Sequence, residues 1–203
     1  MPKKINHEER QVMILKKALE IFARDGYKDS NLSTIAEECG LSRPTLYQYF
    51  RDKNEIYYYA VKLVTGKMFA NYSTMAWDTS FGNSIDRLIH ICNDIVDQAV
   101  IYEGELQSLM DVMLQSKREH VDFSQIIMKR TAKLTILFKR LLNSGIKNGE
   151  VIPDCDIEMV SRHLFTLLEA FCFQIAFLGN FSPSDSKVFI STYLDFFRTD
   201  KCH

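Results

Sequence analysis

The sequence predicts an all-α chain: an N-terminal three-helix domain built around a helix-turn-helix, then a larger helical domain, about nine helices in total. Three observations predict it. Apolar residues recur at spacings of three and four from one end to the other, and the two-residue alternation of a half-buried strand is scarce. The stretch "LSTIAEECGLSRPTLYQYF" at 32–50 reads as two short helices either side of a glycine turn. Apolar residues make up 46% of the 203, ample for a core.

Residues 8–25 place Val12, Leu15, Ala18, Leu19 and Phe22 on one helical face, and Gly26 stops the helix. The two short helices follow, with Asn31 and Ser42 as N-caps. A longer pattern over 54–75 carries Ile56, Tyr59, Ala60, Leu63, Val64 and Phe69, and "DTSFGNS" breaks it. Further helices are expected over 84–101, 105–117, 123–147, 157–178 and 184–197. Asn148-Gly149 and Pro153 separate the third of these from the fourth, Asp156 caps the fourth, and "GNFSPSDS" precedes the last. The domain boundary is expected after Lys53, giving domains 1–53 and 54–203.

The 32–50 stretch has the parts of a helix-turn-helix. Two closely crossing helices want a small residue at the contact, which is Ala36. The turn wants positive φ, which Gly40 adopts without a Cβ penalty. Leu46 and Phe50, four apart, form an inner face, and Pro44 falls in the first turn, where its missing N–H costs little. Packing does not require Arg43, Thr45, Tyr47 or Gln48. Arg43 can donate to guanine or phosphate, Gln48 can read adenine, Thr45 offers a methyl to thymine, and tyrosines can donate to phosphate oxygens. Tyr49 serves either that surface or the core.

"GLSRPTLYQYFRDKNEIY", with "STIAEECG" before it, resembles the signature of the TetR family of bacterial transcriptional regulators, over roughly residues 10–60. "FKRLLNSGIKNGEVIPDCD" resembles the end of that family's seventh helix. The resemblance implies a homodimer binding a palindromic double-stranded DNA operator and released by a small-molecule effector, most often as a repressor. It implies that Ser33 touches phosphate, that Arg43, Pro44, Thr45 and Gln48 face bases, and that Tyr47, Tyr49 and Lys53 grip the backbone. Pro44 stands where many members carry glycine, and Asn54 separates Lys53 from Glu55, where the family often has them adjacent.

In the larger domain, Tyr72, Trp77, Met110, Met113, Phe138, Phe165 and Phe173 suit either an apolar ligand pocket or plain core packing. Glu169 and Gln174, inside an apolar helix, need partners, and Glu169 is placed with the pocket. Leu164, Leu167, Leu168, Phe171, Ile175, Phe189, Tyr193, Phe196 and Phe197 give the last two helices more apolar surface than one face can hide. The resemblance implies a four-helix dimer interface there. A C-terminal domain that binds a protein partner instead of a small effector, or a role as activator, are the alternatives.

Net charge is −1, with ten Lys/Arg against eight Asp/Glu in residues 1–53 and fifteen against eighteen in the rest, so +2 and −3. That balance neither favours nor excludes nucleic acid. Cys39, Cys92, Cys155, Cys172 and Cys202 form no C-x-x-C pair and read as reduced thiols. "MPKKINHEER" lacks a signal peptide's apolar run and no stretch is long enough to span a bilayer, so the expected location is the cytoplasm. No phosphate-binding glycine loop, G-x-S-x-G elbow or H-E-x-x-H motif occurs. His90, Cys92 and Asp94 alternate on a helix and point apart. No enzymatic activity, cofactor or metal is expected.

Overall fold

The computed structural model describes residues 6–68, 71–118, 120, 124–178 and 182–199; Phe69, Phe123, residues 179–181 and Cys202 lie outside them. The described residues form α1 (His7–Asp25), α2 (Leu32–Glu38), α3 (Arg43–Tyr47), α4 (Lys53–Met68), α5 (Tyr72–Met75), α6 (Ser84–Ile101), α7 (Glu103–Arg118), α8 (Ser124–Lys147), α9 (Ile157–Phe177) and α10 (Pro183–Asp195). A 3-10 turn covers Thr79–Phe81, inside the expected break. Among the described residues no strand is present, and an isolated antiparallel bridge pairs Val151 with Arg198. The single helix expected over 54–75 is two, because Asn71 takes a left-handed conformation at φ 68°, which asparagine tolerates better than most residues.

The chain packs as two units, Met1–Gly66 with Gly104–Met128 and Lys67–Glu103 with Lys129–His203. This grouping differs from the expected division after residue 53. The inner face of α4 completes the first core: Tyr57 is fully buried beside Phe22, with ring centroids 6.4 Å apart, and beside Tyr27, at 5.9 Å. Leu15, Ala18, Leu19 and Phe22 of α1 are buried as expected, Val12 is half-buried and Ile14 takes its place in the core, and Leu106, Leu109 and Val112 of α7 are buried in the same unit.

The second unit is centred on α6, which packs against α9 and α10. Asn83 caps α6 by accepting from the Ile85 and Asp86 N–H groups at 2.9 and 3.1 Å. Leu88, Ile91, Cys92, Ile95, Phe138, Leu141, Leu164, Ile190 and Leu194 are among its core. Gly149 ends α8 at φ 71°, with its N–H on Ile146 O and the Glu150 N–H on Gly145 O, the paired bonds of a Schellman stop. Asp156 caps α9 through the Met159 N–H at 2.9 Å, as its position suggested.

Candidate nucleic-acid interface

The helix-turn-helix is assembled from local signals. Asn31 accepts from the Ser33 and Thr34 N–H groups at 2.9 and 3.0 Å and starts α2. Gly40, at φ 64°, ends it: its N–H reaches Glu37 O at 2.9 Å and the Leu41 N–H reaches Ala36 O at 2.8 Å, again a Schellman stop. Ser42 then caps α3 by accepting from the Thr45 N–H at 3.2 Å, and its hydroxyl meets Thr45 Oγ1 at 2.7 Å. Ala36, Leu46 and Phe50 are buried, so α3 is held from beneath. Arg24 ties the end of α1 to α2, bonding both Asp25 and Glu38, and holds the Asp25 carboxyl below the usual carboxylate range.

What remains faces solvent. Arg43, Pro44, Tyr47, Gln48 and, on α2, Ser33 are exposed; Thr45 and Tyr49 are half-buried. Arg43 Nη2 approaches Tyr47 Oη at 3.4 Å and its guanidinium stands 5.8 Å from that ring's centre, so the two outermost side chains of α3 support each other. Tyr49 is settled in part by a neighbour: its ring meets His7 edge-on, with centroids 4.5 Å apart.

Lys53 departs from expectation. Its ammonium donates to the carbonyls of Tyr27, Lys28 (3.1 Å) and Ser30 (2.9 Å) and lies 4.5 Å from the centre of the Tyr27 ring. Its donors are spent on the α1–α2 loop, which they hold against the start of α4. Asp52, whose side chain accepts from the Glu55 N–H at 2.8 Å, caps α4, and that bond lowers its pKa.

Residues 14–59 match the family of bacterial regulatory proteins, tetR family. Over those residues the chain is similar to that family. The fatty acid metabolism regulator protein of Bacillus subtilis is 21% identical over 160 residues, 79% of this chain and 80% of that one. The HTH-type transcriptional repressor KstR2 of Mycobacterium tuberculosis is 25% identical over 162 residues, 76% of each chain. The crystal structure of the transcriptional regulator FadR from Bacillus subtilis in complex with stearoyl-CoA shares the fold, with a TM-score of 0.69 at 18% identity over 89% of this chain and 95% of that one. By these matches the protein is a transcriptional regulator and not an enzyme.

The expected ligand residues divide between core, surface and the two packing units. Tyr72 and Phe138 are fully buried core residues, Phe165 packs against that core, and Trp77 and Phe173 are 52% and 50% exposed. Met110 and Met113 are half-buried on α7, in the other packing unit. Glu169 and Gln174 lie on the exposed side of α9; neighbours still keep water from part of the Glu169 carboxyl, which raises its pKa. A groove of about 390 Å³ along α1 and α7 is lined instead by Lys16, Leu19, Glu20, Glu105 and Ser108 among others, with Lys16 Nζ 2.5 Å from Glu105 Oε1.

The dimer residues also divide. Leu164, Leu168 and Ile175 are buried within their own chain, Leu167, Phe171, Tyr193 and Phe197 are half-buried, and Phe189 and Phe196 are exposed. The outward faces of α9 and α10 add Met159, Phe173 and Val188, which sequence reasoning assigned elsewhere or missed. For Val188 the available signal was its place eight residues before Phe196, two turns along one helical face. His90 stacks on Phe81, with ring centroids 4.0 Å apart, and Cys92 is buried. No described helix is long and apolar enough to cross a membrane.

Proposed function

We propose that this regulator binds a palindromic DNA operator as a homodimer and represses transcription until a small molecule bound by its C-terminal part releases it. The observation that carries the DNA-binding half is α3 itself: Leu46 anchors it, while Arg43, Pro44, Tyr47 and Gln48 face outward with no core to fill. In the proposed complex Arg43, Pro44, Thr45 and Gln48 meet base edges, Ser33, Tyr47 and Tyr49 meet phosphates, and Lys53 acts indirectly by fixing the α1–α2 loop. Residues 1–53 thus carry operator binding and 54–203 carry effector binding and dimerisation, in the cytoplasm. A dimer would set its two α3 helices about 34 Å apart, one turn of DNA.

The proposed effector is largely apolar. Two relatives are described by lipid-like molecules, a fatty acid metabolism regulator and a ketosteroid regulator, and FadR was crystallised with stearoyl-CoA. Tyr72, Phe138 and Phe165 are the residues such a molecule would meet on entering the second unit's core. Helix α4 belongs to the first unit as far as Gly66, and its last residues, Lys67 and Met68, begin the second. An effector that favours one disposition of α4 would change operator affinity by its differential affinity for the two states. The dense packing at Tyr72 and Phe138 favours a second reading, in which the C-terminal part binds a protein partner.

Selection of duplexes from a random pool tests the first half: a palindrome is expected, and Gln48→Ala should relax preference at one base position while Tyr47→Phe weakens all duplexes alike. Stearoyl-CoA added to the complex tests the second. Release of the duplex supports an acyl effector, and an unaffected complex favours the protein-partner reading.

A further inference from the structure

We propose that His7 and Tyr49 together grip one backbone phosphate of the operator, so that α1 contributes a DNA contact beside those of α2 and α3. The inference rests on the DNA-binding reading above and adds a residue to it. The two rings meet edge-on with centroids 4.5 Å apart, His7 exposed and Tyr49 half-buried. Tyr49 directly follows the exposed Gln48, so the contact lies at the edge of the recognition surface.

Three features make this pair a phosphate grip. Imidazole carries an N–H donor in either protonation state, and the phenol carries an O–H donor, so a phosphate can accept from both. Packing of one ring on the other already limits the rotamers of each, which lowers the entropy lost on binding. The acidic neighbour Glu9, though exposed, is engaged in the capping box of α1, its carboxylate accepting from the Asn6 N–H at 3.3 Å. The need is set by Lys53, whose ammonium is committed to the carbonyls of the α1–α2 loop and leaves the backbone to other donors.

The test uses the full-length protein and a duplex that the wild type recovers from a random pool. Each phosphate of one half-site is replaced in turn by an uncharged methylphosphonate, and affinity is measured for wild type, His7→Ala and His7→Lys. On the unmodified duplex His7→Ala should lose roughly tenfold, the scale of a hydrogen bond to a charged group, with no change in melting temperature. At one methylphosphonate position the wild type's advantage over His7→Ala should shrink from roughly tenfold to roughly threefold, because one of the two half-sites can no longer use His7 while Tyr49's contact is altered alike in both proteins. His7→Lys should keep its affinity and steepen the salt dependence by about one per half-site. A penalty for His7→Ala that is the same at every methylphosphonate position, or no penalty at all, overturns the proposal. Failure of the wild type to recover any duplex overturns the DNA-binding reading along with it.

Discussion

At the scale of the residue, chemical type did not decide role; partners did. Lys53 reads as a phosphate contact from its place in the motif, yet three carbonyls of the α1–α2 loop accept from it. Lys53→Met should therefore cost about 1–3 kcal/mol in unfolding free energy by leaving those carbonyls unpaired. Operator binding should weaken while the salt slope stays within a few tenths of the wild type's; a slope reduced by about one per half-site would instead mean a lost phosphate contact. Glu150 makes the opposite kind of case, a carboxylate with a structural charge. Burial pushes its pKa up, but the hydrogen bond from Ser84 and the nearby Arg87 outweigh burial and hold it below its ordinary 4.5. A depressed folded value means stability that is present above the unfolded value and lost as pH falls through the folded one. Melting temperature should thus fall below about pH 4.5 in the wild type, and less steeply in Glu150→Gln. Asp25, Asp52, Asp78 and Glu158, also lowered, keep the slope from vanishing.

At the scale of the element, legibility followed the range of the interaction. The stops at Gly40 and Gly149 and the caps at Asn31, Ser42 and Asp156 act within five residues, and each was readable from type and spacing. The break at Asn71 was not, because asparagine within an amphipathic pattern also fits a continuous helix. Outward and inward apolar faces of α9 and α10 were not separable either: Leu164 and Phe196 are equally apolar, and only packing against α6 makes one of them core. Gly145 shows how a tertiary contact overrules a local preference. In the last turn of α8, Gly→Ala should gain at most about 1 kcal/mol in helix propensity. A Cβ there would stand 2.5 Å from Val151 Cγ2 and 3.1 Å from Ser84 Cβ, both in buried residues. Overpacking of that kind costs about 1–3 kcal/mol, so the net effect of Gly145→Ala should be a loss. A higher midpoint in urea for Gly145→Ala would show that Val151 moves aside at little cost.

At the scale of the whole molecule, the question is why α9 and α10 leave so much apolar surface in water. Phe196, Val188 and Phe173 are 75%, 63% and 50% exposed, and Phe189 and Met159 lie on the same outward faces. Scattered exposed apolar residues are ordinary, but several at helical spacing on two neighbouring helices form a patch of the kind that marks an interface. A second copy presenting the same face would bury it symmetrically, and two α3 helices would then read two half-sites. Val188→Glu combined with Phe196→Glu separates this role from core packing, since neither side chain supports its own chain's interior. The double variant should sediment as a monomer with wild-type helicity and melting behaviour at low concentration. Its operator affinity should drop by about 10²–10⁴, the advantage lost when a second site is no longer tethered to the first. Leu164→Ala is the contrasting control, because that residue is fully buried within its own chain and should lower stability by about 2–5 kcal/mol. A double variant that still sediments as a dimer and holds its operator undiminished would place the interface on another face of the molecule, and the exposed phenylalanines would need a different partner.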